Sequence, residues 1–213
     1  LRTPLMSIAG YAQGIEQGVF PDPGAAAHTI LEESARLTSL VESLLTLSRL
    51  ESGQQSPPRL PVLLADAIGD CLDRVHGLAL QKGVECSTAS LPETLAILGD
   101  EELLERALEN LLTNAFEAVG SSGRIALSYR VIPRQHKAVL SVSDNGCGIS
   151  PSEKKHIFAP YHTTKETGQN FGLGLYYCCN VMTSHSGSIQ VESSLGQGST
   201  FSLLFPFQQK HAA

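Results

Sequence analysis

The 213-residue sequence predicts an α+β chain, in which a helical hairpin precedes a domain of helices packed against a mixed, mainly antiparallel sheet. Apolar side chains recur at helical spacing over residues 25–50 without a Gly or Pro, which predicts one long amphipathic helix. Beyond residue 61, strand patterns are interleaved with helical ones. The length fits one small module followed by one domain of medium size.

The first module is predicted to be a hairpin over residues 1–53. A shorter helical pattern runs through residues 5–15, and Phe20-Pro21-Asp22-Pro23-Gly24 separates it from the long helix as a strong helix breaker. Both helices carry an apolar stripe, which a second copy would cover in a four-helix bundle. Packing of the hairpin on its own chain's domain is the alternative.

The second module is predicted to span residues 61–210, after a Pro-containing linker at 54–60. Helices are predicted over 65–81, 100–119 and 172–185. Strands are predicted over 84–87, 95–98, 124–132, 138–143, 188–192 and 199–205. The polar residues 146–171 are predicted to form a loop.

Charge and composition argue against several kinds of function. The formal net charge of −6 disfavours a nucleic-acid surface, because phosphate binding needs clustered Lys and Arg. No apolar run reaches the roughly 18 residues that cross a bilayer, so we expect no membrane contact. Five cysteines without paired C-x-x-C spacing argue against a zinc site and favour reduced thiols in the cytoplasm.

Two asparagines share one line of the helix predicted over 100–119. Asn110 and Asn114 lie four residues apart, on a different face from the buried leucines. An amide oxygen can bind Mg²⁺ beside nucleotide phosphates, and an amide NH₂ can donate to a phosphate oxygen. A solvated polar face is the alternative for this pair taken alone.

Three glycine-containing segments have the chemistry of a nucleotide site. Asp144 ends an apolar strand and precedes Gly146 and Gly148, so its carboxylate could accept a hydrogen bond from an exocyclic amine such as that of adenine. Residues 172–175 open a helix, where unpaired backbone N–H groups can hold phosphate oxygens. Residues 196–200 are predicted to form a hairpin turn with the hydroxyl of Thr200. Ordinary turns and tight helix packing would explain each segment alone.

The order and spacing of these segments resemble the sensor histidine kinase family over essentially the whole chain. Two helical motifs correspond to the tail of the family's H-box, Leu1-Arg2-Thr3-Pro4-Leu5, and to its N-box, Asn110-Leu111-Leu112-Thr113-Asn114-Ala115. Residues 144–148, 172–175 and 196–200 are similar to its three glycine boxes, and its F-box is similar to Ile157-Phe158-Ala159-Pro160-Tyr161.

The resemblance implies a Bergerat-type sandwich that binds ATP and Mg²⁺, joined to a dimeric four-helix bundle. Asp144 would bind the adenine amine, Asn114 would hold Mg²⁺ with Asn110 beside it, and Thr200 would support Asp144. Lys165 would reach the γ-phosphate from a mobile lid, a solvated loop lysine being the alternative. The residues expected to bind nucleotide are Asn110, Asn114, Asp144, Gly146, Gly148, Ile149, Lys165, Gly172, Leu173, Gly174, Leu175 and Thr200. Asn110 and Lys165 are also the expected catalytic residues.

The resemblance also implies an activity and its partners. The parent kinase would transfer the γ-phosphoryl group of Mg-ATP to its own histidine and then to an aspartate of a response-regulator receiver domain. In the family the acceptor lies two positions ahead of Leu1, so we expect the chain to continue upstream and these 213 residues alone not to phosphorylate themselves. None of the histidines present is expected to replace the acceptor: His28, His156, His162 and His185 are expected at the surface, and His28 is expected to lack an acidic neighbour.

Other functions share parts of this pattern. ATPases of the same superfamily carry a water-activating glutamate where this chain has Asn110, and an amide cannot take a proton from water. The adjacent Glu109 is turned about 100° around the helix from that line. A serine kinase of the anti-sigma type is disfavoured by the hairpin, and only the missing acceptor favours a nucleotide-sensing scaffold. Transfer to a protein side chain is therefore predicted over hydrolysis.

Overall fold

The computed structural model describes residues 2–52, 60–89, 96–163 and 171–206. The chain divides into two compact units, residues 1–51 and residues 52–213. Helices and strands both contribute to the structure, which confirms the predicted α+β class. None of the described helices is long and apolar enough to cross a membrane.

Unit 1 is a hairpin of two helices, α1 (Arg2–Glu16) and α2 (Pro23–Ser52). The Asp22 carboxylate accepts hydrogen bonds from Gly24 N at 2.9 Å and Ala25 N at 3.1 Å, so it caps the start of α2. Pro23 opens the helix, because proline lacks only an N–H that would have no partner there. Pro23 and Gly24 are therefore helical, and their assignment to the helix breaker was wrong.

The turn of the hairpin is closed by an aromatic contact. Phe20 stacks on Tyr11 of α1 with a ring-centroid distance of 5.4 Å. It also lies on Gly14, where a Cβ atom would fall 2.3 Å from Phe20 Cε2. A side chain at residue 14 would displace Phe20, so the glycine allows the turn to fold back on α1.

Unit 2 holds three helices and seven strands in the part that the structure describes. The helices are α3 (Leu64–Lys82), α4 (Glu101–Ala118) and α5 (Gly174–Ser184). The strands are β1 (Leu60–Leu63), β2 (Glu85–Thr88), β3 (Ala96–Gly99), β4 (Arg124–Ile132), β5 (Lys137–Asp144), β6 (Ser188–Ser194) and β7 (Gly198–Pro206). Short 3-10 turns occur at Pro133–Gln135 and Glu153–Lys155.

The strands form two sheets. The larger has the order β2-β4-β5-β7-β6, with β2 parallel to β4 and every other pair antiparallel, which confirms a mixed, mainly antiparallel sheet. The smaller pairs β1 with β3 antiparallel. The sequence analysis did not predict β1, which begins at Leu60, the last residue of the predicted linker. Pro61 weakens the strand signal but is tolerated because β1 is an edge strand.

The two faces of the larger sheet differ in polarity near its Asp144 end. Directly opposed residues in adjacent strands place their side chains on the same face. One face, here called the core face, carries buried apolar side chains, namely Ile125, Leu127, Leu140, Val142, Phe201 and Leu203. The other, here called the open face, carries hydroxyls, namely Ser128, Ser141, Ser143, Thr200 and Ser202. α4 and α5 pack on this sheet. The apolar side chains of the core face are buried, whereas the hydroxyl side chains of the open face are partly accessible to water.

Two histidines, His185 and His28, differ from the sequence-based expectation. His185 is only 4% exposed, so its assignment to the surface was wrong. Its Nε2 accepts from Asp100 N at 2.9 Å, so the ring proton is on Nδ1, which donates to Val181 O at 2.7 Å. His28 does have an acidic neighbour, since its Nε2 lies 3.5 Å from Glu32 Oε1. His185 thus joins the end of α5 to the start of α4.

Replacement of His185 by alanine is expected to lower the free energy of unfolding by about 2–4 kcal/mol, because Asp100 N–H loses its acceptor and a cavity remains. Denaturant unfolding followed by circular dichroism measures the change. The matched control is His76→Ala on the exposed side of α3, which should change stability by less than about 0.5 kcal/mol. Equal effects of the two substitutions would contradict a structural role for the buried ring.

Candidate nucleotide site

Asn110 and Asn114 are half-buried on one line of α4. Asn110 Nδ2 donates to the Arg106 carbonyl one turn earlier, at 2.9 Å. Its Oδ1 atom faces the first residue of α5, because a Cβ built on Gly174 would fall 2.9 Å from it. The amide oxygen of Asn110 is therefore presented at the start of α5, where a larger residue than glycine would fill the space.

The neighbouring Glu109 lies on a different side of α4. Its carboxylate and that of Glu105 both pair with the guanidinium of Arg74 on α3, and Arg74 Nη2 lies 2.5 Å from Glu105 Oε2. These ion pairs hold Glu109 toward α3 and away from Asn110. Glu109 is thus not placed to activate a water molecule beside Asn110.

The start of α5 is shaped by glycine. Gly172 has a φ of +68°, and a Cβ at this residue would fall 2.6 Å from Tyr161 C and 2.7 Å from His162 O. The helix begins at Gly174, two residues later than predicted, and no side-chain hydrogen bond caps it at Leu173. Its first N–H groups can therefore bind a ligand rather than a side chain at the N-cap.

Asp144 is the last residue of β5 and lies on the core face, directly opposite Ser199 of β7. Its Oδ1 accepts from Gly146 N at 2.8 Å. Burial raises the pKa of the Asp144 carboxyl above its usual value, and hydrogen bonds from the backbone of Gly146 and Ser199 offset part of this rise. The residue is half-buried, so its remaining lone pairs can accept from a ligand.

The glycines after Asp144 make close backbone contacts. A Cβ on Gly146 would fall 2.4 Å from Ala118 O at the end of α4, and one on Gly148, whose φ is +69°, would fall 2.0 Å from Ser194 O. Cys147 N also donates to Ala118 O at 3.1 Å. The loop after Asp144 is therefore fixed between the end of α4 and the β6–β7 turn.

Thr200 does not support Asp144 directly, so its expected contact was wrong. Its hydroxyl lies 2.9 Å from that of Ser143, its register partner on the open face. Side chains alternate along a strand, so the residue before it, Ser199, shares the core face with Asp144 and is only 6% exposed. Ser199 was missed, although the alternation with the apolar Phe201 could have indicated it.

Four predicted site residues remain, namely Ile149, Leu173, Leu175 and Lys165. Ile149 N donates to Ser193 Oγ at 2.8 Å, which joins the loop after Asp144 to β6. Leu173 is buried and Leu175 half-buried at the start of α5. Lys165 lies outside the described residues. Gly146 and Gly174 thus contact α4, whereas Gly148 and Ile149 contact the end of β6, and Gly172 contacts Tyr161 and His162.

The donor set suits a nucleotide that brings its own metal. Asp144 offers acceptors, α5 offers backbone donors, and the two asparagines offer neutral oxygens of the kind Mg²⁺ accepts. Within residues 2–52, 60–89, 96–163 and 171–206, no cluster of three or more His, Cys, Asp or Glu could hold a metal. An Mg²⁺ ion bound mainly by nucleotide phosphates needs few protein ligands, and amide oxygens such as those of Asn114 and Asn110 are compatible with it.

Two family models match the chain. Residues 99–209 match the model "Histidine kinase-, DNA gyrase B-, and HSP90-like ATPase", and residues 1–53 match "His Kinase A (phospho-acceptor) domain". The chain belongs to the histidine kinases. The family resemblance of the sequence motifs is thereby confirmed for both units of this histidine kinase.

Curated relatives are similar over nearly the whole histidine kinase chain. Sensor histidine kinase RppB of Synechocystis sp. is 29% identical over 214 residues, which cover 97% of this chain and 46% of RppB. Signal transduction histidine-protein kinase AtoS of Escherichia coli is 33% identical over 208 residues, covering 97% of this chain and 33% of AtoS. The chain spans less than half the length of these relatives.

Solved histidine kinase structures share the fold. Full-length ShkA in complex with AMPPNP has a TM-score of 0.76 and 26% identity, with 99% of this chain and 44% of that chain covered. ThkA in complex with the response regulator TrrA has a TM-score of 0.73 and 23% identity, with 97% of this chain and 58% of that chain covered. The second comparison supports the fold alone.

Proposed function

We propose that this histidine kinase core binds Mg-ATP and transfers the γ-phosphoryl group to a histidine, from which it passes to an aspartate of a response-regulator receiver domain. The observation that carries the proposal is the convergence of two sites on α4. Gly146, beside Asp144, packs on Ala118, and Gly174 packs on Asn110. These two contacts lie about 12 Å apart along the helix, a span over which a nucleoside triphosphate can extend.

Each end of this span has a proposed role. The Asp144 carboxylate accepts from the exocyclic amine of adenine, and the backbone N–H groups of residues 172–175 hold phosphate oxygens. Asn114, with Asn110 beside it, holds Mg²⁺, which neutralises charge on the phosphates when bound. Lys165 completes the proposed set at the γ-phosphate. In this arrangement the nucleotide-binding residues contribute position and electrostatics to the transfer.

The proposed acceptor is a protein side chain rather than water. Asn110 cannot take a proton, and Glu109 is held by Arg74 on the other side of α4. Neither of these two residues of α4 can therefore activate a water molecule for hydrolysis. An imidazole needs no such base, and the H-box resemblance places the acceptor histidine two positions ahead of Leu1.

Two protein partners are proposed, a second copy of the chain and a response-regulator receiver domain. A second copy pairs through the hairpin, and a response-regulator receiver domain accepts the phosphoryl group, which the match of residues 1–53 to the phospho-acceptor domain model supports. No nucleic-acid or membrane contact is part of the proposal. A cytoplasmic location is proposed as well, and the five free cysteines are compatible with a reducing compartment.

Phosphoryl transfer can be tested in a chain extended by His-Glu ahead of Leu1. Incubation with Mg-ATP labelled at the γ-phosphate should give acid-labile, base-stable label on protein. Asn114→Ala should reduce the rate by roughly 10- to 100-fold, as expected for a group that supports a metal. Asn180→Ala is the matched control, because Asn180 is a half-buried helical asparagine like Asn114 but lies on α5, where its Nδ2 donates to Tyr176 O at 2.9 Å.

The three alternatives to a histidine kinase, namely an ATPase, a serine kinase and a scaffold without catalysis, give different products in this assay. Release of free phosphate without labelled protein would favour an ATPase, and base-labile, acid-stable label would favour a serine kinase. Nucleotide binding with neither product would favour a scaffold. Any of these results in the extended wild-type chain would contradict the proposed function.

A further inference from the structure

The hydroxyl of Ser193 on β6 has three hydrogen-bond partners. It accepts from Ile149 N at 2.8 Å and donates to Gly198 O at 2.9 Å. It also lies 3.0 Å from the hydroxyl of Ser199. Ser193 thus connects the loop after Asp144, the β6–β7 turn and the first residues of β7.

The proton of Ser199 follows from this arrangement. A serine hydroxyl has one proton and two lone pairs. The proton of Ser193 lies between Ser193 Oγ and Gly198 O, because two oxygens 2.9 Å apart would otherwise repel each other. Ser199 must therefore be the donor in its bond to Ser193, and its own oxygen retains only acceptor lone pairs.

Ser193, Ser199 and Asp144 lie in one row across the sheet. The register pairs Ser193 with Ser199 and Ser199 with Asp144, so all three side chains share the core face. Ser199 is only 6% exposed, and its hydroxyl bonds that of Ser193. The row therefore presents a carboxylate and a hydroxyl oxygen as adjacent acceptors.

We propose that Ser193 is a positioning residue that determines base specificity, because it holds the Ser199 proton away from the ligand and leaves acceptors only beside the base. This inference rests on the proposed function. A 6-amino purine can donate to such a row. A 6-oxo purine in the same orientation would place a carbonyl oxygen against it, at a cost that no donor offsets.

The test compares the affinities of ADP and IDP, whose bases carry 6-amino and 6-oxo groups, by titration calorimetry on the full chain. The wild type should prefer ADP. Ser193→Ala releases the Ser199 proton, which can then donate to a 6-oxo group, so the ADP:IDP preference should narrow roughly tenfold, the factor for one hydrogen bond. Ser193→Thr keeps the hydroxyl and should have the ADP:IDP preference of the wild type. If the alanine acted only by disturbing the local structure, the ADP:IDP preference would not depend on whether residue 193 carries a hydroxyl.

Ser199→Ala and the double variant Ser193→Ala/Ser199→Ala test the same idea without relying on the folding of Ser193→Ala alone. Ser199→Ala leaves both backbone bonds of Ser193 in place and should also narrow the preference, because one acceptor is lost. Adding Ser193→Ala to it should narrow the preference no further, since no Ser199 proton remains to be redirected. Ser202→Ala is the control, because the Ser202 hydroxyl bonds that of Ser141 at 2.8 Å on the open face. The ADP:IDP preference of this variant should equal that of the wild type.

The outcomes separate this inference from the proposed function. A wild type that binds ADP and IDP equally, or a Ser193→Ala variant that loses affinity for both by the same factor, would overturn the role of Ser193 and leave ATP binding intact. An unchanged preference in Ser199→Ala would overturn it too. A wild type that binds neither nucleotide would overturn the proposed function and this inference together.

Discussion

Replacement of Asp144 by asparagine should weaken ADP binding by about 100-fold or more, because an amide NH₂ then faces the adenine amine and a hydrogen bond to a charged acceptor is lost. The fold should be retained. Burial disfavours the carboxylate, as the raised pKa of Asp144 shows, and an amide oxygen can still accept from Gly146 N. Calorimetry gives the affinity, and circular dichroism verifies folding.

The control for this variant is Asp70→Asn on the exposed side of α3, which removes the same charge and should bind ADP normally. Wild-type affinity in a folded Asp144→Asn variant would remove Asp144 from the site. Equal losses in both variants would indicate a general effect of charge rather than a contact with the base.

Acidification should mimic this substitution. Because burial raises the pKa of Asp144, its carboxylate protonates at a higher pH than an ordinary aspartate does. ADP affinity should be complete above that pKa and fall as the pH falls through it. The free energy of unfolding should respond in the opposite direction. Because the folded state holds the proton of Asp144 more tightly than the unfolded state does, protonation stabilises the fold, and this contribution is lost as the pH rises through the folded-state pKa. In Asp144→Asn this acid-dependent loss of affinity should be absent.

Introduction of glutamate at both Val41 and Leu45 of α2 should convert a dimer into folded monomers. These side chains are 48% and 55% exposed, whereas Leu40 and Leu47 are buried. A second hairpin would cover this stripe and exclude water from it. Two charges in its centre would each have to be buried without a partner, at a cost of several kcal/mol.

Light scattering at micromolar concentration measures the mass of each protein. The matched control adds the same two charges at Ala35 and Ser39, which are exposed and lie about 120° around the helix from Val41 and Leu45. The control should remain dimeric. A wild-type chain that is already monomeric would contradict the predicted bundle, and dissociation of the control as well would indicate charge repulsion instead.

The sequence by itself determined most of the elements of unit 2 and their order, although it did not indicate β1. The strand predicted over 124–132 coincides with β4, and the helix predicted over 100–119 differs from α4 by one residue at each end, because Asp100 caps it with a bond to Leu103 N at 3.1 Å. Periodicities of 3.6 and 2 residues are local properties and survive in the fold. The order and spacing of the six family motifs likewise indicated the family, which the two family models confirm.

Only the tertiary structure determined which groups meet at that site. Thr200 and Ser199 are adjacent hydroxyl residues, and the choice between them depends on the register of β7 against β5, since a shift of one residue moves every side chain to the opposite face. The burial of His185 depends in the same way on its distant partner Asp100, 85 residues away in the chain. Local patterns carry no information about such pairings, because the contacts that fix them join segments far apart in sequence.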